Sequence, residues 1–174
     1  AYGSTADPYF SSTRLSLLDR GFIFAIANVR GSQIYGRKSY DDGKLLNKKN
    51  TFYDFIDAGK FLIKENYTNT NHLYCYGGSA GGLLIGAVIN MEPSMWNGAI
   101  AGVPFVDVLN TMCDPSIPLT TQEWEQWGNP NQKEYYLCAV GQLNEDLIDN
   151  DCRAKLLNCT NATFRSICGR AISL

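Results

Sequence analysis

The chain has 174 residues, 45% of them apolar, and a formal net charge of −2 at pH 7. It is long enough for one domain core, and its weak acidity gives no reason to expect nucleic acid or an anionic membrane as a partner. No apolar run reaches the roughly 18 residues that span a bilayer. The six cysteines contain no Cys-x-x-Cys pair, which argues against a zinc site. Composition therefore predicts a soluble globular chain, and we expect no metal and no other cofactor. The one basic cluster, which we expect to be a solvated loop, consists of Lys44, Lys48 and Lys49.

The first regular element predicted is a short helix. It should begin after Ser11 or Ser12 and end before Gly21, a residue suited to the position just past a helix. Its spacing directs Leu15 and Leu18 toward the core.

A strand, a helix and a second strand are predicted next. Residues 22–29 form a nearly continuous apolar run, which is typical of a strand covered on both faces. A helix over residues 51–66 follows, with Thr51 and Asp54 as a possible capping box. Residues 73–76 form the second strand. Because a crossover helix joins the two strands, the sheet should be parallel.

The glycine-rich stretch after that strand predicts a nucleophile elbow. A short apolar and aromatic strand, a glycine turn and an apolar helix follow one another directly. In an elbow the turn lifts a serine, here Ser79, clear of the sheet, and a side chain at Gly77 or Gly81 should collide with the strand or helix. Ala80 would supply a backbone N–H at the helix N-terminus, where the dipole favours an oxyanion. The alternative is a glycine-rich turn whose serine has no function.

The pattern then repeats once before it loosens. A third short strand is predicted at residues 98–103, which supports an α/β architecture with a mostly parallel sheet and helices on both faces. Residues 104–130 are predicted to be loop-rich, with the rings of Trp124 and Trp127 as anchors. Residues 131–136 are predicted to be helical.

The single histidine is a poor candidate for the base that Ser79 requires. His72 precedes the nucleophile strand, so it should lie at the opposite edge of the sheet, roughly 20 Å from Ser79. We interpret it as a surface residue. Because this fold orders its triad as serine, acid and histidine, both partners are expected beyond the strands present here.

Several motifs in one register resemble the oligopeptidase B branch of the prolyl oligopeptidase family of serine peptidases. They are Asp7-Pro-Tyr-Phe-Ser-Ser, Arg14-Leu-Ser-Leu-Leu-Asp-Arg-Gly-Phe, Asn50-Thr-Phe, Gly77-Gly-Ser-Ala-Gly-Gly, Val103-Pro-Phe-Val-Asp-Val, Ile117-Pro-Leu-Thr-Thr and Trp127-Gly-Asn-Pro. The resemblance implies a cytoplasmic peptidase that cleaves short peptides after Arg or Lys. It also implies a truncated α/β-hydrolase fold, normally joined to a β-propeller domain.

The resemblance also implies roles for individual residues. Ser79 corresponds to the nucleophile and Ala80 to one oxyanion donor, while Tyr2 stands where the family places a tyrosine whose hydroxyl is the second donor. Two further acids match the residues around the basic P1 side chain, and one matches a position near the P2 side chain. These are Glu123 and Glu125 at P1 and Asp7 at P2.

The resemblance stops near Tyr136. Residues 1–136 are therefore expected to be a partial catalytic domain and residues 137–174 a divergent tail. The family's Arg-Gly-Gly-Gly is Arg30-Gly-Ser-Gln here, which changes a local loop. Two other interpretations stay open: a non-catalytic remnant or interaction module on the same scaffold, and an esterase.

Overall fold

The computed structural model describes residues 1–135, so Tyr136 and the predicted tail at 137–174 lie outside the described residues. The chain divides into two compact units, Ala1–Asn69 and a second unit that starts at Thr70. No helix within residues 1–135 is both long enough and apolar enough to cross a membrane.

The first unit is built from helices and irregular segments. Its helices are α1 (Ser12–Leu18), α2 (Arg37–Asp41) and α3 (Lys49–Lys64), with a 3₁₀ turn at Leu45–Asn47 before α3. The longest of these, α3, has an apolar face recurring at helical spacing. Its buried apolar side chains, together with one from α2, form the core of this unit: Phe52, Ile56 and Tyr40.

Helix α1 forms where it was predicted, but its apolar face is not buried within the described part of the chain. The relative exposures of Leu15 and Leu18 are 43% and 45%, which corrects the expectation that they face the core. The predicted end is confirmed: Gly21 has φ +83°, and the N–H of Phe22 donates to the carbonyl oxygen of Leu17.

The strand predicted at residues 22–29 is wrong for the described structure. The segment is irregular, and Phe22, Ile23 and Phe24 are 45%, 64% and 44% exposed. A strand needs a neighbour to pair with, and the only sheet within residues 1–135 has two strands, both in the second unit. An apolar run alone does not provide that neighbour.

The capping box predicted at the start of the long helix is also wrong. Helix α3 begins two residues earlier, at Lys49. The Thr51 hydroxyl instead donates to the carbonyl oxygen of Arg30 (2.9 Å), and Asp54 accepts hydrogen bonds from the backbone N–H and the guanidinium of Arg30. Both side chains thus attach the preceding loop to α3.

The basic cluster is not a solvated loop. Lys48 is 2% exposed, and its ammonium donates to the carbonyl oxygen of Gly43 over 3.4 Å. The Lys44 side chain is 11% exposed, lies 3.3 Å from the Asp41 carboxylate and stacks over the ring of Tyr40. Both ammonium groups thus have partners within the chain, which charge counting does not reveal.

The second unit is a parallel βαβ arrangement followed by two helices. Its elements are β1 (Tyr74–Gly78), α4 (Ala80–Met91), β2 (Gly98–Gly102), α5 (Val108–Cys113) and α6 (Thr120–Trp127). The strands pair in parallel, with Tyr74 opposite Gly98 and Gly78 opposite Gly102. This confirms the predicted strand, elbow helix and third strand.

Helix α4 carries the core of the second unit. Every residue of α4 except Asn90 is buried or half-buried, as the apolar pattern predicted. Strand β1 alternates, with Cys75 buried and Tyr74 and Tyr76 exposed.

The segment predicted to be loop-rich contains two helices, α5 and α6, held together by side chains. The Thr120 hydroxyl donates to the carbonyl oxygen of Thr111 (3.1 Å), and the Trp124 indole donates to that of Met112 (3.0 Å). The anchoring role predicted for Trp124 is confirmed. The loop-rich prediction for residues 104–130 missed both helices.

Candidate active site

Ser79 occupies the sharp turn between β1 and α4. Its backbone has φ 52° and ψ −116°, a region that non-glycine residues rarely adopt, and the residue is exposed. The strand ends and the helix begins within one residue. This is the geometry expected of a nucleophile elbow.

Four backbone hydrogen bonds hold the Ser79 peptide in this conformation. Its N–H donates to the carbonyl oxygen of Gly102 at the end of β2 (2.9 Å). Its carbonyl oxygen accepts from Gly82 (2.9 Å), Leu83 (3.2 Å) and Phe105 (3.0 Å). The strained turn is thus held from the sheet, from the helix and from the segment after β2.

The glycines around Ser79 have different reasons to be glycine. A Cβ on Gly77 would overlap the carbonyl oxygen of Gly81 and lie 2.9 Å from Cγ1 of Ile85, so that prediction is confirmed. A Cβ on Gly81 would meet nothing within 4 Å, so the collision predicted there is wrong. The second crowded position is Gly82, whose Cβ would lie 2.7 Å from Cα of Pro104.

Ala80 is the first residue of α4 and is buried beside the serine. The N–H groups of the first helical turn have no acceptor within the helix and lie at the positive end of its dipole. The structure thus has Ala80 at the position where an elbow supplies one oxyanion donor.

A cysteine and the single histidine of the chain lie in or just before β1. Cys75 is a buried free cysteine, and burial raises the pKa of its thiol to about 12, which keeps it protonated. His72 precedes β1 and is exposed, in agreement with its interpretation as a surface residue.

Glu123 is linked to the serine turn by two aromatic residues. Its carboxylate accepts a hydrogen bond of 2.8 Å from the indole N–H of Trp127, one helical turn later on α6. The Trp127 ring packs on Phe105 with centroids 5.2 Å apart and planes tilted by 54°. Because the Phe105 N–H binds the Ser79 carbonyl oxygen, three contacts connect the carboxylate to Ser79.

Glu125 does not share the orientation of Glu123. It is exposed on α6, and residues two apart on a helix do not face the same side. The structure therefore brings Glu123, and not Glu125, to the aromatic pair formed by Phe105 and Trp127.

Tyr2 and Asp7 belong to the first unit. Tyr2 is 47% exposed in a turn with φ +60°, and the next residue, Gly3, donates its N–H to the carbonyl oxygen of Gly31 (2.9 Å). Asp7 is exposed in an irregular segment. Within residues 1–135 no group of three or more His, Cys, Asp or Glu side chains is placed to hold a metal ion.

Sequence reasoning missed two contributors to this site, Gly82 and the backbone of Phe105. The available signal was topological. The carboxyl ends of parallel strands meet at one edge of a sheet, so the residues after β2 had to approach the turn after β1.

Comparison with known proteins places this arrangement in a family. Residues 8–151 match the model of the prolyl oligopeptidase family. Dipeptidyl aminopeptidase BI of Pseudoxanthomonas mexicana is 56% identical over 136 residues, which are 78% of this chain and 19% of that protein.

Two solved structures are similar in both sequence and backbone. Oligopeptidase B from Leishmania major is 54% identical with a TM-score of 0.79, and the match covers 85% of this chain and 21% of that one. Oligopeptidase B from Trypanosoma brucei, solved with covalently bound antipain, is 52% identical with a TM-score of 0.78 over 86% of this chain and 21% of that one.

The chain spans about a fifth of the length of these relatives. The resemblance inferred from the sequence is confirmed, and so is the α/β-hydrolase fold class with its parallel sheet. The chain belongs to the prolyl oligopeptidase family.

Proposed function

We propose that the chain is the nucleophile-bearing segment of a serine peptidase that hydrolyses short peptides after arginine or lysine. The observation that carries this proposal is the connection between a strained, exposed serine and a half-buried carboxylate. Ser79 and Glu123 are joined through Phe105 and Trp127. A nucleophile at a fixed position relative to an acid is what cleavage beside a basic residue requires.

Ser79 is proposed to attack the scissile carbonyl carbon and form an acyl-enzyme. Its hydroxyl proton passes to a histidine, which then protonates the leaving amine. The developing oxyanion is stabilised by the Ala80 N–H and by the Tyr2 hydroxyl. The position of Ala80 at the start of α4 supports its role, and the exposed turn at Tyr2 is compatible with the second role.

Glu123 is proposed as the principal recognition group for the basic P1 side chain. A partly desolvated carboxylate binds a guanidinium through paired charge-assisted hydrogen bonds, which disfavours neutral side chains. Glu123 is half-buried beside Trp127, which supports this role. Glu125 is exposed, which gives weaker support for the same role. Glu125 is proposed as a secondary P1 acid, and Asp7 as an acid near the P2 side chain.

The remaining catalytic parts are proposed to lie outside this chain. The only histidine is His72, so the triad histidine and its aspartate are expected in the full-length parent, the longer protein that would contain this chain. That parent is proposed to carry a β-propeller domain that excludes large substrates and to act in the cytoplasm.

Labelling with a fluorophosphonate probe tests the nucleophile. In the full-length parent we expect rapid labelling that maps to Ser79 and is abolished by Ser79→Ala. The 174-residue chain alone should label slowly, because its single histidine, His72, precedes β1 and is not expected to reach the serine. Labelling of the parent at another residue would refute the assignment of Ser79.

A matched pair of substrates tests the P1 preference. Peptide amides with arginine or citrulline at P1 have nearly the same shape, but only arginine is charged. Glu123→Gln should lower kcat/KM for the arginine substrate roughly 100-fold and leave the citrulline substrate unchanged, whereas Glu125→Gln should have a smaller effect. An arginine preference that survives both substitutions would contradict the proposal.

The same measurements separate the alternatives. An esterase would hydrolyse esters without regard to the P1 charge and would not respond to loss of Glu123. A non-catalytic remnant would give neither turnover nor Ser79 labelling in the full-length protein.

A further inference from the structure

Trp127 holds the carboxylate that the proposed function assigns to substrate recognition. Its indole N–H lies 2.8 Å from Oε2 of Glu123, and the Trp127 side chain is 6% exposed. A hydrogen bond to an ionised acceptor is stronger than one between neutral groups. A glutamate side chain also has several rotatable bonds, so a fixed donor restricts where its carboxylate can lie.

Trp127 is itself held against the nucleophile turn. Its ring packs on Phe105 at 5.2 Å with a tilt of 54°, a favourable geometry for an aromatic pair. The Phe105 backbone N–H in turn donates to the carbonyl oxygen of Ser79 over 3.0 Å. A displacement of the indole would therefore be felt both at the carboxylate and beside the serine.

We propose that Trp127 is a positioning residue that sets the location of the Glu123 carboxylate relative to Ser79, and thereby selects substrates with a basic P1 residue. The inference rests on the proposed function and adds a determinant of its specificity. A P1 guanidinium can pair with Glu123 while its carbonyl carbon meets Ser79 only if the two groups keep a fixed separation. The three contacts that run through Trp127 and Phe105 provide that constraint.

Removing the indole N–H while keeping an aromatic ring tests the proposal in the full-length parent. Trp127→Phe should lower kcat/KM for the arginine substrate roughly tenfold or more, mainly by raising KM, since the lost contact serves binding. The citrulline substrate should lose much less, because it forms no ion pair with Glu123. Equal losses on both substrates, or no loss on either, would overturn the proposal.

Trp124 provides a matched control on the same helix. Its indole N–H donates to the backbone carbonyl oxygen of Met112 and not to a carboxylate. Trp124→Phe removes the same group from the same helix, so it should leave the ratio of arginine to citrulline hydrolysis unchanged. A change in that ratio as large as the one for Trp127→Phe would mean that general loosening of α6, and not Glu123, sets the preference.

A measurement on the 174-residue chain tests the contact without any catalysis. The chain has three tryptophans, and the indoles of Trp96 and Trp124 donate to backbone carbonyls. In a ¹⁵N-labelled sample, Glu123→Gln should shift the Trp127 indole N–H resonance, identified by its loss in Trp127→Phe, and Glu125→Gln should not. If Glu123→Gln does not shift the Trp127 indole N–H resonance, the inference is overturned.

The outcomes keep the two proposals distinguishable. A wild-type parent that does not distinguish arginine from citrulline refutes the proposed function, and the recognition role of Trp127 fails with it. A parent in which Trp127→Phe leaves the preference for arginine unchanged refutes only the role proposed for Trp127.

Discussion

The Phe105 backbone N–H donates a hydrogen bond of 3.0 Å to the carbonyl oxygen of Ser79, so the residues after β2 hold the turn that follows β1. The Ser79 N–H completes the link by donating to Gly102, the last residue of β2. These bonds maintain a conformation that a non-glycine residue adopts at a cost of about 1–3 kcal/mol. The strain is located at the residue that carries the proposed chemistry.

The strain at Ser79 predicts an order of stability for two variants at this position. Ser79→Ala keeps a Cβ at φ 52°, whereas Ser79→Gly removes it and relieves the strain. After allowance for the greater flexibility of unfolded glycine, Ser79→Gly should be more stable than Ser79→Ala by about 1 kcal/mol. Urea unfolding of both variants measures this difference. A glycine variant no more stable than the alanine variant would argue that the turn is unstrained.

Two glycines of the elbow should respond oppositely to alanine. In Gly77→Ala the new methyl would overlap the backbone of Gly81, which cannot easily move, so the free energy of unfolding should fall by about 3 kcal/mol. Gly81 lies in a helix, and Gly81→Ala adds a methyl that meets nothing within 4 Å. This substitution should therefore raise the free energy of unfolding by up to about 1 kcal/mol. Denaturation midpoints of the pair provide the measurement, and equal losses would contradict the described packing.

The elbow could be predicted from sequence because its determinants are local. Tyr74 to Tyr76, the glycines and the apolar helix are adjacent in the chain, and each pattern specifies its element without reference to distant residues. Ser79 itself follows from that succession. The role of Gly82 does not, because it depends on Pro104, which is 22 residues away.

The errors concern residues whose partners are distant in sequence. Thr51 and Asp54 fit a capping box locally, but a bond network to Arg30 takes both side chains. The apolar run at residues 22–29 has strand composition, yet no neighbouring strand pairs with it in the described chain. For the candidate site, the resemblance identified Glu123, but only the structure revealed its bond to Trp127.

The ion pair between Arg30 and Asp54 predicts a stability effect that depends on pH. The Asp54 carboxylate accepts the Arg30 backbone N–H at 2.8 Å and the guanidinium at 2.6 Å. Burial would raise the pKa of Asp54, but the bonds from Arg30 outweigh it and leave the pKa below its ordinary value. Asp54→Asn should therefore destabilise the first unit by about 1–3 kcal/mol at pH 7.

The sign of the pH dependence follows from the lowered pKa. A carboxyl whose pKa falls on folding stabilises the folded state above its unfolded pKa of about 3.9, and this contribution disappears as the pH drops through the folded value. The difference in the free energy of unfolding between wild type and Asp54→Asn should thus reach its full value at pH 6 and be much smaller at pH 2.5. Asp57→Asn, an exposed change on the same helix, should stay within about 0.5 kcal/mol. A gap that did not narrow in acid would rule out the ion pair as its source.

Lys48 predicts a second pH dependence, on the alkaline side, where a buried charge destabilises the folded state. The side chain is 2% exposed, and burial lowers the pKa of its ammonium from 10.5 to about 8. Between pH 8 and 10.5 the unfolded chain therefore binds more protons at this residue than the folded chain, so the free energy of unfolding should rise with pH. Lys48→Met keeps most of the apolar stem and removes the charge. At pH 7 it should be more stable than wild type by on the order of 2 kcal/mol.

The difference in the free energy of unfolding between wild type and Lys48→Met is the informative quantity, because groups that do not interact with Lys48 cancel in it. It should shrink steadily as the pH is raised from 8 toward 10.5, and above 10.5 the wild-type amine is mostly neutral in both states. Lys60→Met, at an exposed position of α3, should show neither the gain at pH 7 nor the pH dependence. The contrary outcome is that Lys48→Met destabilises the chain, and equally so at pH 7 and at pH 10.5. In that case the stabilisation from the hydrogen bond between Lys48 and Gly43 exceeds the cost of burying the charge.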